Sequence, residues 1–395
     1  MKLTDVVILD GARTAIGGFG GSLSSMGPAD LGTCVAKEAI SRSAVPAEDI
    51  DHSVFGHIIS TGPADAYVAR HIGLNAGLQK GSAAFNVNRL CGSGMQAVIS
   101  AAQMIIMGDS QIALAGGVES MSQGAYVLPN VRKGLRMGDG KVVDMTLGIL
   151  SDPFGSGHMG LTAERIAQKY GLSREDLDVF SAESHRRASH AIESGYFKEQ
   201  IVPVAVKQGR KEFIFKQDEH VRADTTVESL SGLKPAFAKD GIVTPGNASG
   251  LNDGAAAMIL TSAAEAEKRG LKARARLVGY AFAGVDPGLM GLGPIPAVRR
   301  VLEQTCLSVA DLDVIESNEA FAAQALAVSK ELGLPADKVN PNGGAVALGH
   351  PVGATGSILI IKTLAELERT GGRYGLITMC IGGGQGIALI VESIR

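Results

Sequence analysis

Two cysteines, one histidine and one asparagine are the residues of this 395-residue chain best suited to chemistry. Cys91 sits in Asn88-Arg89-Leu90-Cys91-Gly92-Ser93-Gly94, and Cys380 in Met379-Cys380-Ile381-Gly382-Gly383-Gly384-Gln385-Gly386. Between them lie Asn318-Glu319-Ala320-Phe321-Ala322 and Gly349-His350-Pro351-Val352-Gly353. A thiolate accepts acyl groups, an imidazole can activate it, a second thiol can move a proton, and an amide can bind an oxyanion. Such a set can make and break a carbon–carbon bond next to a thioester.

The elements around these residues must position them. Phe85 to Leu90 reads as a strand and Met95 to Met107 as an apolar helix, with Gly92 and Gly94 allowing a sharp turn between them. Cys91 then falls at a helix N-terminus, where the macrodipole and free amides stabilise a thiolate. An inert buried cysteine is the alternative. Gly349-His350-Pro351 reads as the start of a helix running to about Arg369. The positive helix end disfavours an imidazolium, so His350 is expected to stay neutral and able to accept a proton; a capping or core histidine is the alternative.

Cys380 ends an apolar strand before a glycine run that lacks both the P-loop Lys-Ser/Thr ending and a dinucleotide-binding pattern. A bare backbone for a flat thioester, with an amide aimed at its oxygen, fits better. Asn318 follows a strand over Asp313 to Ser317 and could bind an oxyanion directly or through water. Glu319 either orients its neighbours or is a satisfied buried carboxylate. His158, before Met159, is a weaker pocket candidate. His185 and His190, on a polar helix, are expected to be solvated.

Short apolar strands alternate with helical stretches, which indicates α/β layers. The halves resemble each other. Pro46 to Asp51 leads into Val54 to His57 as Ser308 to Asp313 leads into Val314 to Glu319. Asn86-Val87-Asn88 precedes Cys91 and a long helix as Asn340-Pro341-Asn342 precedes His350 and a long helix. An internal duplication is expected. The stretch from about Ser120 to Asn247 is more polar and breaks the pattern. It holds helices over Gly160 to Tyr170 and Arg174 to Ser194, the second capped at Ser173. It is expected to cover the site and bind the substrate's handle.

With 45% hydrophobic and 19% charged residues the chain can bury a large core. A net charge of -3 gives no reason to expect nucleic acid or an anionic membrane as partner. No apolar run is read as long enough to span a membrane, and Met1 to Asp5 runs into an apolar strand rather than a signal peptide. A cytoplasmic protein is expected. No C-x-x-C pair is present, so metal and dithiol readings are weak, and Cys34 and Cys306 are taken as small core residues.

With these segments in order, the chain resembles the thiolases, in particular bacterial short-chain beta-ketothiolases. The likeness covers almost the whole chain, from Asp10-Gly11-Ala12-Arg13-Thr14 to Cys380-Ile381-Gly382-Gly383-Gly384. It implies a duplicated five-layered α/β/α/β/α core with an inserted loop domain. Residues 1–120 with 248–271 would form one half, 121–247 the loop domain and 272–395 the other half. It implies a homotetramer, in some members a dimer, and coenzyme A thioesters as substrates with no metal or redox cofactor. By the resemblance, Cys91 is the acyl-accepting nucleophile, His350 its base and Cys380 the acid–base thiol. Asn318, through a water, and His350 would hold the enolate oxygen, and the amides of Cys91 and Gly382 the tetrahedral oxyanion. His158, Met159 and Ser249 match pantetheine contacts, Arg222 and Ser229 contacts near the adenine end, and Leu150, Met290 and Phe321 pocket-lining residues. The small segment Gly155-Ser156-Gly157 departs from the bulkier family pattern and would widen the pocket or loosen its loop. A decarboxylating ketoacyl synthase lacks a second catalytic thiol, and an acyl-CoA-binding protein without activity is expected to have lost some of Cys91, Asn318, His350 and Cys380; neither fits as well.

Overall fold

The computed structural model describes residues 1–394, apart from the side chains of Gln208 and Lys211. Its main sheet has ten strands. They are β1 (Val6–Arg13), β2 (Gly17–Gly18), β3 (His52–Gly56), β4 (Ala83–Val87), β5 (Ile112–Ser120), β6 (Asn252–Ser262), β7 (Ala275–Gly284), β8 (Val314–Ser317), β9 (Tyr374–Ile381) and β10 (Gln385–Ser393). The order is β8-β9-β10-β7-β1-β6-β5-β3-β4, with β2 beside β6.

The duplication is visible strand by strand. In the first half β3 runs parallel to β4 and β5, β5 antiparallel to β6, and β6 antiparallel to β1. In the second half β8 runs parallel to β9, β9 antiparallel to β10, and β10 antiparallel to β7. The counterpart of β4 is reduced to a single parallel bridge between Ile315 and Val339. The halves meet along a short seam, where Val7 and Ile8 of β1 pair Arg276 and Ala275 of β7.

Helices give five layers. The helix Pro28–Ser43 covers β1, β5 and β6 on one outer side, and the helix Pro294–Thr305 covers β7 and β10 on the other. The helices Ser93–Met107 and Thr355–Thr370 pack on each other between the two half-sheets. Burial of most of its residues accounts for the apolar character of the 18-residue window Leu90–Met107, whose mean hydropathy is 1.4. The sequence reading found no run of that length; this one is a core helix with its preceding turn.

The two central helices cross where side chains are smallest. A Cβ on Gly94 would lie 2.9 Å from the Gly353 oxygen and the Ser357 amide, and Ser357 Oγ donates to the Gly94 carbonyl at 2.9 Å. Small residues let the helix starts approach, and the turns leading into those helices carry Cys91 and His350.

The insertion leaves the sheet at Ser120 and returns at Asn252, beside the Asp253–Ser120 pair. Its ends are neighbours on the sheet, and because closure entropy grows only slowly with loop length, a long excursion costs little more than a short one. It is tied down by Arg13, fully buried, whose guanidinium donates to both Asp218 oxygens at 2.8 and 3.0 Å. Its two long helices are Met159–Tyr170 and Arg174–Glu193, and Ser173 and Asp176 form the reciprocal cap anticipated from the sequence. Two expectations fail here. Cys306 is exposed, at a left-handed helix end with φ 55°, while Cys34 is half-buried. His185 is buried, and its Nδ1 accepts the Arg222 amide at 3.2 Å; burial, with His220 and Arg222 nearby, pushes its pKa down to about 4. His190 is exposed, as read.

Candidate active site

Cys91 lies between β4 and the helix Ser93–Met107, in a turn whose left-handed residue is Leu90, φ 47°, rather than a glycine. Ser93 holds the turn: its Oγ accepts the Arg89 amide at 2.8 Å and donates to the Leu90 carbonyl at 2.7 Å. Gly92 and Gly94 serve close packing instead. A Cβ on Gly92 would meet Ile381 Cδ1 at 2.7 Å.

Burial raises the Cys91 thiol's pKa above its ordinary value, while the amides of Gly382 and of Cys91 itself, pointing at the sulfur, pull it down. Burial wins, so the resting nucleophile is a thiol that needs a base, contrary to the thiolate that the helix start alone suggested.

His350 does not open the long helix. It follows the short helix Ala345–Leu348, and the helix Thr355–Thr370 begins five residues later. Its amide donates to Asn252 Oδ1 at 2.9 Å, its Nδ1 lies 2.7 Å from Thr355 Oγ1, and its Nε2 lies 3.5 Å from Asn318 Nδ2. Its pKa is pushed down to about 4. The ring is neutral as anticipated, but through burial rather than the helix dipole.

Cys380 is buried at the end of β9, paired with Gly386 across the hairpin. Gly383 and Gly384 make the turn with φ 76° and 80°. That conformation needs glycine, which explains the run without any phosphate. Burial, then the neighbouring Cys91, pushes the Cys380 thiol far up, so it holds its proton.

A cavity of about 430 Å³ joins these groups. Cys91, His350, Cys380 and Gly382 line it, together with Leu150, His158, Met159, Arg222, Ser249, Met290 and Phe321. His158 stacks on Phe237 with ring centroids 4.7 Å apart. Two candidates stand apart. Ser229 is exposed in the short helix Val227–Ser231 and bonded to Thr226. Asn318 is buried and lines a separate space of about 10 Å³ with Thr355, Gly349 and Lys362. That is roughly room for one water.

The segment Gly155-Ser156-Gly157 does not line the cavity. Gly155 and Gly157 have φ 95° and 79°, and Asp152 caps the turn through the Phe154 and Ser156 amides. Its small residues answer to backbone geometry, and the wider-pocket reading of them is withdrawn. Glu319 is a satisfied buried carboxylate, accepting from Ser184, Asn340 and Val346. Residues that sequence reasoning missed are Thr355, Asn252 and Glu119; a threonine in the first turn after a histidine loop was the one available signal. Among the described residues no three His, Cys, Asp or Glu side chains converge as metal ligands.

Comparison with known proteins agrees with this arrangement. The family model "Thiolase, N-terminal domain" matches residues 6–264, and "Thiolase, C-terminal domain" matches residues 271–393. The chain is 56% identical to beta-ketothiolase BktB of Cupriavidus necator over 391 residues, covering 99% of both chains. It superposes on the Bacillus anthracis acetyl-CoA acetyltransferase with TM-score 0.97 at 47% identity, covering 99% of both. It superposes on human mitochondrial 3-ketoacyl-CoA thiolase in complex with CoA with TM-score 0.96 at 42% identity, covering 99% and 98%. A duplicated core with two cysteines, a histidine and a glycine amide on one cavity, matched along nearly its whole length, belongs to the thiolase family.

Proposed function

We propose that this thiolase transfers acyl groups between coenzyme A thioesters through an acyl-Cys91 intermediate, cleaving and forming 3-ketoacyl-CoA reversibly. The observation that carries this reading is the convergence of Cys91, His350, Cys380 and Gly382 on one cavity. In cleavage, His350 takes the Cys91 proton and the sulfur attacks the 3-keto carbon. The amides of Cys91 and Gly382 receive the oxyanion. The carbon–carbon bond breaks, its electron pair leaves as the enolate of acetyl-CoA, and Cys380 protonates that carbon. Free CoA then takes the acyl group from Cys91. In synthesis Cys380 removes a methyl proton from acetyl-CoA and the carbanion attacks acetyl-Cys91. Asn318 acts on the enolate oxygen from behind His350.

Each proton and charge in this sequence is handled by a side chain or an amide, so the reaction calls for no metal or redox cofactor. His158, Met159 and Ser249 are assigned to the pantetheine arm, and Arg222 and Ser229 to the nucleotide end. The apolar lining, with Leu150, Met290 and Phe321, suits short unbranched acyl groups. We infer a cytoplasmic enzyme of short-chain fatty acid metabolism that assembles as a homotetramer. Exposed Tyr126, Leu128, Leu135 and Met137 on the insertion loop support the assembly.

The test is the intact mass of the protein after brief exposure to acetoacetyl-CoA without free CoA, with peptide mapping. One acetyl group on Cys91, released by CoA, is the expected result. No adduct, or an adduct elsewhere, overturns the reading. A series of 3-ketoacyl-CoA chain lengths then sets the acyl range.

A further inference from the structure

His350 can serve as a base only if the correct ring nitrogen keeps its lone pair, and one hydroxyl bears on that choice. Thr355 Oγ1 lies 2.7 Å from His350 Nδ1 and 2.9 Å from the carbonyl oxygen of Pro351, four residues earlier. A hydroxyl has a single proton to donate. If it goes to the Pro351 carbonyl, Oγ1 offers Nδ1 a lone pair, and Nδ1 must carry the ring proton. If it goes to Nδ1, the ring proton sits on Nε2.

The surroundings favour the first arrangement. Pro351 can only accept, and its oxygen also takes the Ala354 and Thr355 amides at 2.9 Å each. On the far side of the ring, Asn318 Nδ2 lies 3.5 Å from Nε2, too far to hold its lone pair firmly, and an amide nitrogen offers no acceptor for a proton on Nε2. Thr355, His350 and Asn318 are all buried.

We propose that Thr355 is a positioning residue: its hydroxyl, spent on the Pro351 carbonyl, holds neutral His350 as the Nδ1–H tautomer, so that Nε2 keeps the lone pair that takes the Cys91 proton. The inference rests on the acyl-transfer reading, because that reading requires a free Nε2. The proton balance is simple. Cys91 gives its proton to Nε2, the sulfur becomes a thiolate, the ring becomes an imidazolium, and Nδ1–H stays on Thr355 throughout. The same ring fixes Asn318, whose Nδ2 must face Nε2, with Oδ1 turned away. That oxygen is buried without a partner in the protein, and Asn318 borders the small space shared with Lys362.

The test is iodoacetamide alkylation of Cys91, followed by peptide mass from pH 5 to pH 9, in the wild type, Thr355→Val and Thr355→Ser. Exposed Cys306 serves as the internal control. Alkylation needs no CoA thioester, so its outcome is separate from that of the acyl-transfer test. The valine variant should alkylate Cys91 about 10–100-fold more slowly near neutral pH, part of the 10²–10⁴-fold that a positioned base contributes. It should recover as pH rises and the thiol ionises unaided. Cys306 should be unaffected and the serine variant should be close to wild type. A wild-type rate and pH profile in Thr355→Val, or a serine variant as slow as the valine one, overturns the proposal. If the valine variant unfolds, seen as ready labelling of buried Cys380, the decision passes to the ring nitrogens of ¹⁵N-histidine-labelled wild type. A proton on His350 Nδ1 supports the proposal and a proton on Nε2 overturns it.

Discussion

The carboxylate of Glu119 accepts the backbone hydrogen of Gly353 at 2.9 Å, joining β5 to the loop that carries His350 across 234 residues of sequence. The other oxygen takes the Ile59 amide at 3.0 Å and faces His57 Nδ1 at 3.2 Å. His57 Nε2 lies 3.5 Å from Asp65 Oδ2. His57 therefore sits between two carboxylates beneath the active-site loop.

Stability should reflect that placement. Burial opposes the charged ring, but the hydrogen bonds and charges of Asp65 and Glu119 outweigh it, and the pKa of His57 rises from 6.5 to about 10. Its contribution is therefore complete below pH 6.5 and lost as pH climbs through about 10. Between those limits this group removes up to about 1.4 kcal/mol per pH unit. Urea titrations at several pH values should show that slope in wild type and its absence in His57→Gln. Equal slopes would assign the pH dependence to other groups.

The same bookkeeping with the opposite sign applies to His350. Burial holds its pKa down at about 4, so it is a competent base through neutral pH. The acid limb of Cys91 acylation should fall near pH 4, not near 6.5. Its contribution to stability declines as pH drops below 6.5, where the unfolded chain takes up a proton that the folded one refuses. A single-turnover acylation profile locates the limb, and a midpoint near 6.5 would mean that the ring is solvated when substrate binds.

Asn318→Ala should slow turnover by about 10²–10³, the usual effect of removing one oxyanion donor. The melting temperature should change little. Unchanged turnover removes Asn318 from the mechanism, consistent with its seat outside the main cavity.

Cys380→Ser separates the two half-reactions. Cys91 should still be alkylated, because its base is intact, while exchange of the acetyl-CoA methyl protons with D₂O should fall by about 10²-fold or more. Exchange at the wild-type rate would mean that another group handles that proton.

Gly353→Ala should be costly. A Cβ there would lie 2.6 Å from Glu119 Oε2 and 2.8 Å from the Val118 oxygen. Both are fixed, so the loop must move, at about 1–3 kcal/mol. Denaturation and turnover should fall together, since displacing the loop displaces His350. Loss of stability alone would show that the loop can shift without moving the base.

The sequence by itself determined the local pieces: the strand–turn–helix around Cys91, the glycine-rich segment after Cys380, the duplicated units and the capped insertion helix. Each is written in a few contiguous residues whose backbone preferences and side-chain chemistry act locally. Tertiary structure decided the rest, because it depends on residues far apart. Leu90 takes the left-handed position that local rules give to glycine, held there by Ser93. His185 is buried because the segment holding Arg222 folds over it, and Cys306 is exposed because its helix ends at the surface. The small residues at 155–157 serve a turn outside the cavity, although their departure from the bulkier family pattern suggested a wider pocket or a looser loop. Protonation was the least legible in sequence. The resting states of Cys91, His350 and Cys380 are set mainly by burial, and burial exists only once the two half-sheets have closed on their central helices.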